Sequence, residues 1–374
     1  MAARTRSILS IGTFDGVHLG HRAIGAEACR LADVAAERGG ERPRVVVLAF
    51  DPHPAAVLRP GTEPARLTTF ARRADLLRAG GADEVVRLEP TPGLLGLSPE
   101  QFVDRLVAAH APLAIVEGPD FRFGKGRAGD VAALRRLGRE RSEAEHFAVR
   151  VVEPVETVLG DHSIVAASST LARWLLERGR AADVARVLGE PYRIEGTVVR
   201  GDRRGRTLGY PTANLDPETA LPADGVYAGF ARAGLARGQS DARAGEDRSF
   251  VAAISVGTKP QFTPGQTART IEAFLLDVER PPGSDAIPGL PEYGWRLTLD
   301  LIGYVRDQAR FESVDALLRQ IGRDSERVRE ICSMRGSLPE PRLAVATSLA
   351  SRSSGLDTAP TIATPTSPEA APAR

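Results

Sequence analysis

The run Gly12-Thr13-Phe14-Asp15-Gly16-Val17-His18-Leu19-Gly20-His21 leaves a short apolar stretch and enters a helical pattern. Glycines there let the backbone approach a ligand closely. A helix start adds free N–H groups and the positive end of a dipole, a seat for phosphate. His18 and His21 are spaced i, i+3, which near a helix start brings both imidazoles to one side, against a triphosphate. Spacing alone leaves three readings open: phosphate contact, a structural role, and a zinc site, the last weakened by the lack of a nearby Cys or carboxylate set.

The segment Gly201 to Asn214 is the second with chemical content. Its glycines and arginines suit an anion-binding turn. Thr212 and Asn214 are two apart, hence on one side of an extended chain. A hydroxyl and an amide carbonyl can then share a hard cation, and Mg²⁺ takes such oxygens together with phosphates and water. The alternative is an Arg-rich surface loop followed by a turn. All six histidines lie at or before His162. If this half deprotonates an alcohol, a carboxylate must do it.

The flanking patterns supply scaffolds. Strand-like runs at Ser7–Ile11, Arg44–Phe50, Glu84–Leu88 and Leu113–Glu117 alternate with helical patterns near 20–38, 71–80 and 99–109, the mark of a doubly wound parallel sheet. Such sheets bind ligands at the carboxyl ends of their strands. After about Gly189, short strands take over at 193–199, 225–231, 250–256, 270–276 and 295–305, separated by Gly and Pro turns. They suggest an antiparallel barrel. A helix with Val314, Leu317, Leu318 and Ile321 on one face closes it. Polar loops are expected at 234–248 and 279–291, and a disordered, Ala/Pro/Ser/Thr-rich tail from about 336.

The 374 residues are 42% hydrophobic and 26% charged, with a net charge of +1. That length suits two domains, and that charge gives no case for nucleic acid or membrane. Lys125 and Lys259 are the sole lysines, an arginine bias read as compositional. Cys29 and Cys332, far apart, suit a reducing cytosol and exclude a disulfide framework. No signal peptide or membrane span is visible, so a cytoplasmic protein is expected. Gly124-Lys125-Gly126 fails the P-loop pattern, since no Ser or Thr follows the lysine.

Gly12 to His21 resembles the G-x-F-D-G-x-H-x-G-H signature of the bacterial bifunctional riboflavin kinase/FAD synthetase family. Three further blocks follow in that family's order: Phe50-Asp51-Pro52-His53-Pro54, Gly118-Pro119-Asp120-Phe121-Arg122-Phe123-Gly124, and Ser168-Ser169-Thr170-Leu171-Ala172-Arg173. Behind them, Gly201 to Asn214 is similar to the kinase signature G-x-x-x-G-R-x-L-G-x-P-T-A-N. Gly225-Val226-Tyr227, Ser255 to Phe262, Ile271-Glu272-Ala273, Tyr293-Gly294, Arg306 and Phe311 match later positions. The resemblance spans about residues 7 to 332.

It implies an N-terminal nucleotidylyltransferase domain on the parallel sheet (1–187), a barrel kinase domain with a closing helix (188–333) and a tail (334–374). It also implies two reactions on small molecules: ATP-dependent phosphorylation of riboflavin to FMN, and adenylylation of FMN to FAD with release of pyrophosphate. FMN's phosphate is already anionic, so adenylylation needs no general base, only charge neutralisation and two anions held in line. His18, His21 and Arg173 are then catalytic. Gly12, Phe14, Asp15, Gly16, Ser168, Ser169 and Thr170 contact ATP, the serines at a second helix start, where a plain N-cap is the alternative. Phe50, Asp120 and Phe123 line the FMN site, or the two phenylalanines serve as core.

For the kinase, Glu272 is the general base. A lone Glu between apolar strand residues costs free energy unless used or paired, a salt bridge being the alternative. Thr212 and Asn214 hold Mg²⁺; Gly201, Arg206, Gly209 and Pro211 shape the ATP loop; Arg306 contacts flavin or braces a closing flap. Departures from the family pattern stand at Glu117, Ala172, Lys259 and Gln261. They leave room for a chain with one working half, the kinase failing, or for a flavin-binding regulator without catalysis. Oligomeric state is not readable.

Overall fold

The computed structural model describes residues 6–201, 210–234, 248–260, 267–278, 287 and 290–334. All of these lie within one compact unit. The expected polar loops fall mostly outside the described residues, and the tail falls wholly outside them.

The N-terminal sheet is parallel, in the order β3-β2-β1-β4-β7. Its strands are β1 (Ser7–Gly12), β2 (Arg44–Phe50), β3 (Glu84–Leu88), β4 (Pro112–Glu117) and β7 (Ala148–Val151). β2 reads as an unbroken apolar run because both of its faces are covered. Val45, Val47 and Ala49 pack under α1 (Leu19–Glu37) and α3 (Phe70–Ala79). Val46 and Leu48 pack under α5 (Pro99–His110) and α6 (Val131–Arg139). The start of α5 is written locally: Pro99 follows an N-cap Ser98 that forms a capping box with Gln101,. Short α2 (Ala55–Leu58) and α4 (Pro92–Leu95) and the hairpins β5 (Arg122–Phe123) with β6 (Gly129–Asp130) and β8 (Glu156–Val158) with β9 (Ile164–Ala166) decorate the strand connections. The fifth strand, β7, and helix α6 were not anticipated.

Chain order reverses between β1 and β4. Their ladder pairs Leu9 with Ile115 and then stops, although both strands continue. The side chain of Glu117 accepts from the Ile11 N–H at 2.6 Å. Open α/β sheets bind their ligands at such a reversal.

The C-terminal half is a closed antiparallel barrel, β10-β11-β14-β13-β12-β15. It comprises β10 (Tyr192–Val199), β11 (Thr212–Pro217), β12 (Gly225–Gly234), β13 (Arg248–Pro260), β14 (Thr267–Leu275) and β15 (Arg296–Arg306). Closure removes edges that would otherwise recruit other chains. Ile194, Ile254, Ile271 and Leu299 fill the interior. That apolar cluster continues without a break into α7 (Ser169–Leu176) and α8 (Ala181–Leu188), through Leu175, Val184 and Leu188. The final helix, α9 (Val314–Met334), covers the outer face at Ala228, Leu276 and Phe274 with Val328 and Cys332. Among the described residues no helix is long and apolar enough to cross a membrane.

Candidate active sites

The chain leaves β1 through a strained turn. Phe14, Gly16 and Val17 have φ of 50°, 80° and 41°. The left-handed region suits Gly16 but opposes a β-branched valine, and such strain collects at functional sites. Phe14 is buried in the core, its ring centroid 5.1 Å from that of His21. Its side chain therefore packs beneath an imidazole and is not exposed to a nucleotide.

His18 is the N-cap of α1, its Nδ1 accepting from the Gly20 N–H at 3.2 Å. The proton then sits on Nε2. The His18 and His21 ring centroids are 3.6 Å apart. Burial lowers His18 to about 4. His21 is pushed well below the usual imidazole range by burial first, then by His18 and Arg73. Both rings are neutral at neutral pH and act as hydrogen-bonding groups until an anion arrives. Nδ1 of His21 is buried with no hydrogen-bond partner among the described residues, an uncommon state for a buried polar atom in a folded protein.

A second helix start meets the first. A Cβ on Gly20 would stand 3.6 Å from the Ala167 carbonyl, directly before α7. Ser168 caps α7 by accepting from the Leu171 N–H at 3.1 Å, so the plain-cap role is present. Ser169 Oγ donates to the Asp15 carbonyl at 2.7 Å, and Thr170 is exposed. Arg173 donates from Nη2 to Asp15 at 2.5 Å and from Nε to the Ala65 carbonyl at 2.6 Å. The Asp15 carboxylate also accepts from the Leu67 and Thr68 N–H groups. It therefore serves as a strut for the turn.

Two clefts open at the strand exits. One of about 370 Å³ is polar, lined by Thr13, Asp15, Phe50, Asp51, His53 and Arg66 among others. His53, absent from the sequence-based site list, is capped like His18: its Nδ1 accepts from the Ala55 N–H at 3.1 Å. Burial first, then Arg173, lowers its pKa. The other cleft, about 390 Å³, has walls of Leu48, Leu88, Leu94, Phe102 and Leu106 with Arg87 and Arg105 among its lining. Arg87 pairs with Asp51, so the clefts adjoin. Phe123 lines neither of them. It is buried, stacked with Phe121 at 5.5 Å and 5.9 Å from Phe102, so it supports the cleft wall from behind. Asp120 is exposed on the loop after β4. Phe102 was missed because an aromatic on an amphipathic helix reads as core.

On the barrel, Asn214, Glu272 and Ser255 stand side by side across β11, β14 and β13. Ile271 and Ala273 point inward, so Glu272 points outward. Thr212 Oγ1 donates to Glu272 Oε2 at 3.2 Å. Thr212, Asn214 and Glu272 therefore share one outward-facing row. Gly201 closes on it: an added Cβ would lie 2.1 Å from Asn214 Nδ2. Hydroxyl, amide carbonyl and carboxylate oxygens, cradled where no side chain fits, match the donor set of a hard divalent cation. Pro211 leads into β11, while Arg206, Gly209 and Gln261 lie outside the described residues. Lys259 contributes backbone to β13 opposite Ala268.

Arg306 forms a fork with Asp324 of α9 at 2.7 and 3.0 Å and donates to the Asp307 carbonyl at 2.8 Å. These bonds tie the end of β15 to α9. Nearby Gln308 Nε2 donates to Ser255 Oγ and to the Val256 carbonyl, each at 2.9 Å. It pins the β15–α9 connection beside the Glu272 row. Nothing in the local sequence marked Gln308 or Asp324.

A sequence-family model described as FAD synthetase matches residues 1–165, and one described as riboflavin kinase matches residues 188–332. Helix α7 and all but the last residue of α8 fall between the two. The bifunctional riboflavin kinase/FMN adenylyltransferase of Escherichia coli (strain K12) is 31% identical over 325 residues, 86% of this chain and 92% of the relative. That of Pseudomonas fluorescens is 33% identical over 328 residues, 87% and 93%. A crystal structure from Streptococcus pneumoniae, described as a macrolide-efflux protein, superposes with a TM-score of 0.68 at 26% identity, covering 88% of this chain and 95% of its own. With both sites housed on one chain and both family models matched in order, this protein belongs to the bifunctional riboflavin kinase/FMN adenylyltransferase family.

Proposed function

We propose that the chain converts riboflavin to FMN on its barrel and FMN to FAD on its parallel-sheet half, each with ATP. Adenylyl transfer is assigned to residues 1–187 and phosphoryl transfer to residues 188–333. The observation that carries the reading is the Thr212–Glu272 contact at 3.2 Å, with Asn214 paired across the ladder to the same glutamate.

In the kinase site Glu272 accepts the proton of a ribityl hydroxyl as its oxygen attacks the γ-phosphorus and ADP departs. Thr212 and Asn214 would hold Mg²⁺, which when bound neutralises charge on the ATP phosphates. The Gly201 backbone stands so near the Asn214 amide that no side chain fits between them. Arg306 and Gln308 fix the connection that closes over the row.

In the adenylyltransferase site an FMN phosphate oxygen attacks the α-phosphorus, and the bond to the departing pyrophosphate breaks. The converging starts of α1 and α7 seat the phosphates. His18 and His21 donate hydrogen bonds to charge developing there. The flat apolar flavin ring suits the apolar cleft at Leu94, Phe102 and Leu106, and the polar cleft at His53 and Arg66 suits the phosphates beside it. The unpaired thiols of Cys29 and Cys332 suit a cytoplasmic setting,.

Riboflavin and FMN should each be incubated with Mg-ATP and the products separated. Riboflavin should yield FMN and then FAD, and FMN should yield FAD. Flavin bound tightly with no ATP turnover would instead mark a regulator, and FAD from FMN with no FMN from riboflavin would mark a chain with a failed kinase.

A further inference from the structure

The polar cleft contains a cation that no motif marks. Arg73 of α3 has a side chain only 4% exposed. Its Nη1 donates to the Thr13 carbonyl at 2.8 Å and to the Phe50 carbonyl at 2.9 Å, and its Nη2 to the Thr68 carbonyl at 3.3 Å. The carboxylates of Asp51 and Asp15 stand farther off, at 3.6 and 3.9 Å. The short bonds thus go to backbone, and the acids neutralise the charge. Thr13 is the exit of β1, Phe50 the end of β2, and Thr68 the segment whose N–H groups hold Asp15.

We propose that Arg73 is a positioning residue for adenylyl transfer, one buried guanidinium that joins the exits of β1 and β2 to the Thr68 segment and so sets the frame in which the two imidazoles stand. The proposal rests on the adenylyl-transfer reading above. Only a planar fork reaches several carbonyls at fixed angles; a lysine ammonium of the same charge is a single point. The charge has a second effect. Burial first, then the charges of His18 and of Arg73 from α3, oppose protonation of His21. A cation held there keeps the ring uncharged to lower pH.

Arg73→Lys and Arg73→Met in the full chain separate the two effects. FAD formation from FMN is measured as kcat/KM against pH, with FMN formation from riboflavin on the same preparation as the control for folding. Arg73→Lys should lower kcat/KM for FAD by about ten- to a hundredfold, the loss of charge-assisted hydrogen bonds, with the acid limb in place. Arg73→Met should lower it further and move the acid limb to higher pH, because His21 loses a facing cation. FMN formation should stay within about twofold in Arg73→Lys.

Wild-type FAD rates in Arg73→Lys, or an acid limb unmoved in Arg73→Met, would overturn the proposal. So would equal losses of both activities in Arg73→Lys, which would make Arg73 a general stability residue. A wild-type chain that makes FMN but no FAD would defeat the adenylyl-transfer reading itself.

Discussion

The front site draws on the β1 exit, the β2 exit, the 63–68 segment and two helix starts, whereas the rear site takes Thr212, Asn214 and Glu272 from two adjacent strands. The difference follows from the nucleophiles. An FMN phosphate arrives ionised and needs its charge and its partner aligned, so hydrogen-bond donors must converge from several directions. A ribityl hydroxyl must lose a proton, so one carboxylate has to stand beside the Thr212 and Asn214 oxygens, and a β-ladder delivers that with neighbouring residues. The front site therefore depends on buried struts such as Asp15 and Arg73. The rear site depends on strand register.

The contrast breaks most sharply at Glu272. Glu272→Gln should cut FMN formation at least about a hundredfold, as loss of a general base does, while FAD formation from FMN persists. Parallel loss of both would end the division of labour. His21→Ala probes the other half and should lower FAD formation by about a hundredfold with FMN formation spared, both read from the same product assay.

Gly201→Ala tests whether backbone approach matters as much as side chains. Its new methyl meets the Asn214 amide, so riboflavin phosphorylation should fall about tenfold or more through misalignment. Full kinase activity there would show that the phosphate loop does not need that closeness.

The smallest effect concerns stability. Burial raises the Glu117 carboxyl well above its usual range, against the opposing hydrogen bond from Ile11. The folded state thus retains a proton that the unfolded chain releases. Stability is highest below the ordinary value of 4.5 and is lost as pH rises from there toward the folded value. Glu117→Gln keeps the acceptor for Ile11 without that loss. Its Tm should exceed the wild type's by about 2–4 °C at pH 8, and the gap should close near pH 4. A constant gap across pH would show that Glu117 does not titrate between the two states.

Residues close in sequence were legible where local geometry decides their relation. The i, i+3 spacing of His18 and His21 at a helix start is a local fact, and so is the alternation that puts Thr212 and Asn214 on one face. The apolar runs of β1, β2 and β4 announced a sheet covered on both sides. Family blocks ordered the two halves along the chain. Glu272 was reachable through the resemblance of Ile271-Glu272-Ala273 to the family's strand, with a lone carboxylate between apolar residues as support.

What stayed hidden lies between distant segments. Arg73 looks like any arginine in a chain full of them, and its role exists only because three carbonyls from three segments meet around it. Phe14 and Phe123 carry motif positions yet pack inward, since burying a ring gains more than presenting it at a surface already served by Phe102. The joining of α7 and α8 to the barrel core, with the start of α7 at the other site, has no local signature. The sequence determined which side chains were present and which neighbours along one element share a face. Tertiary packing alone decided which of them keep a free hydrogen-bonding atom, because that depends on groups brought from elsewhere to satisfy or bury it.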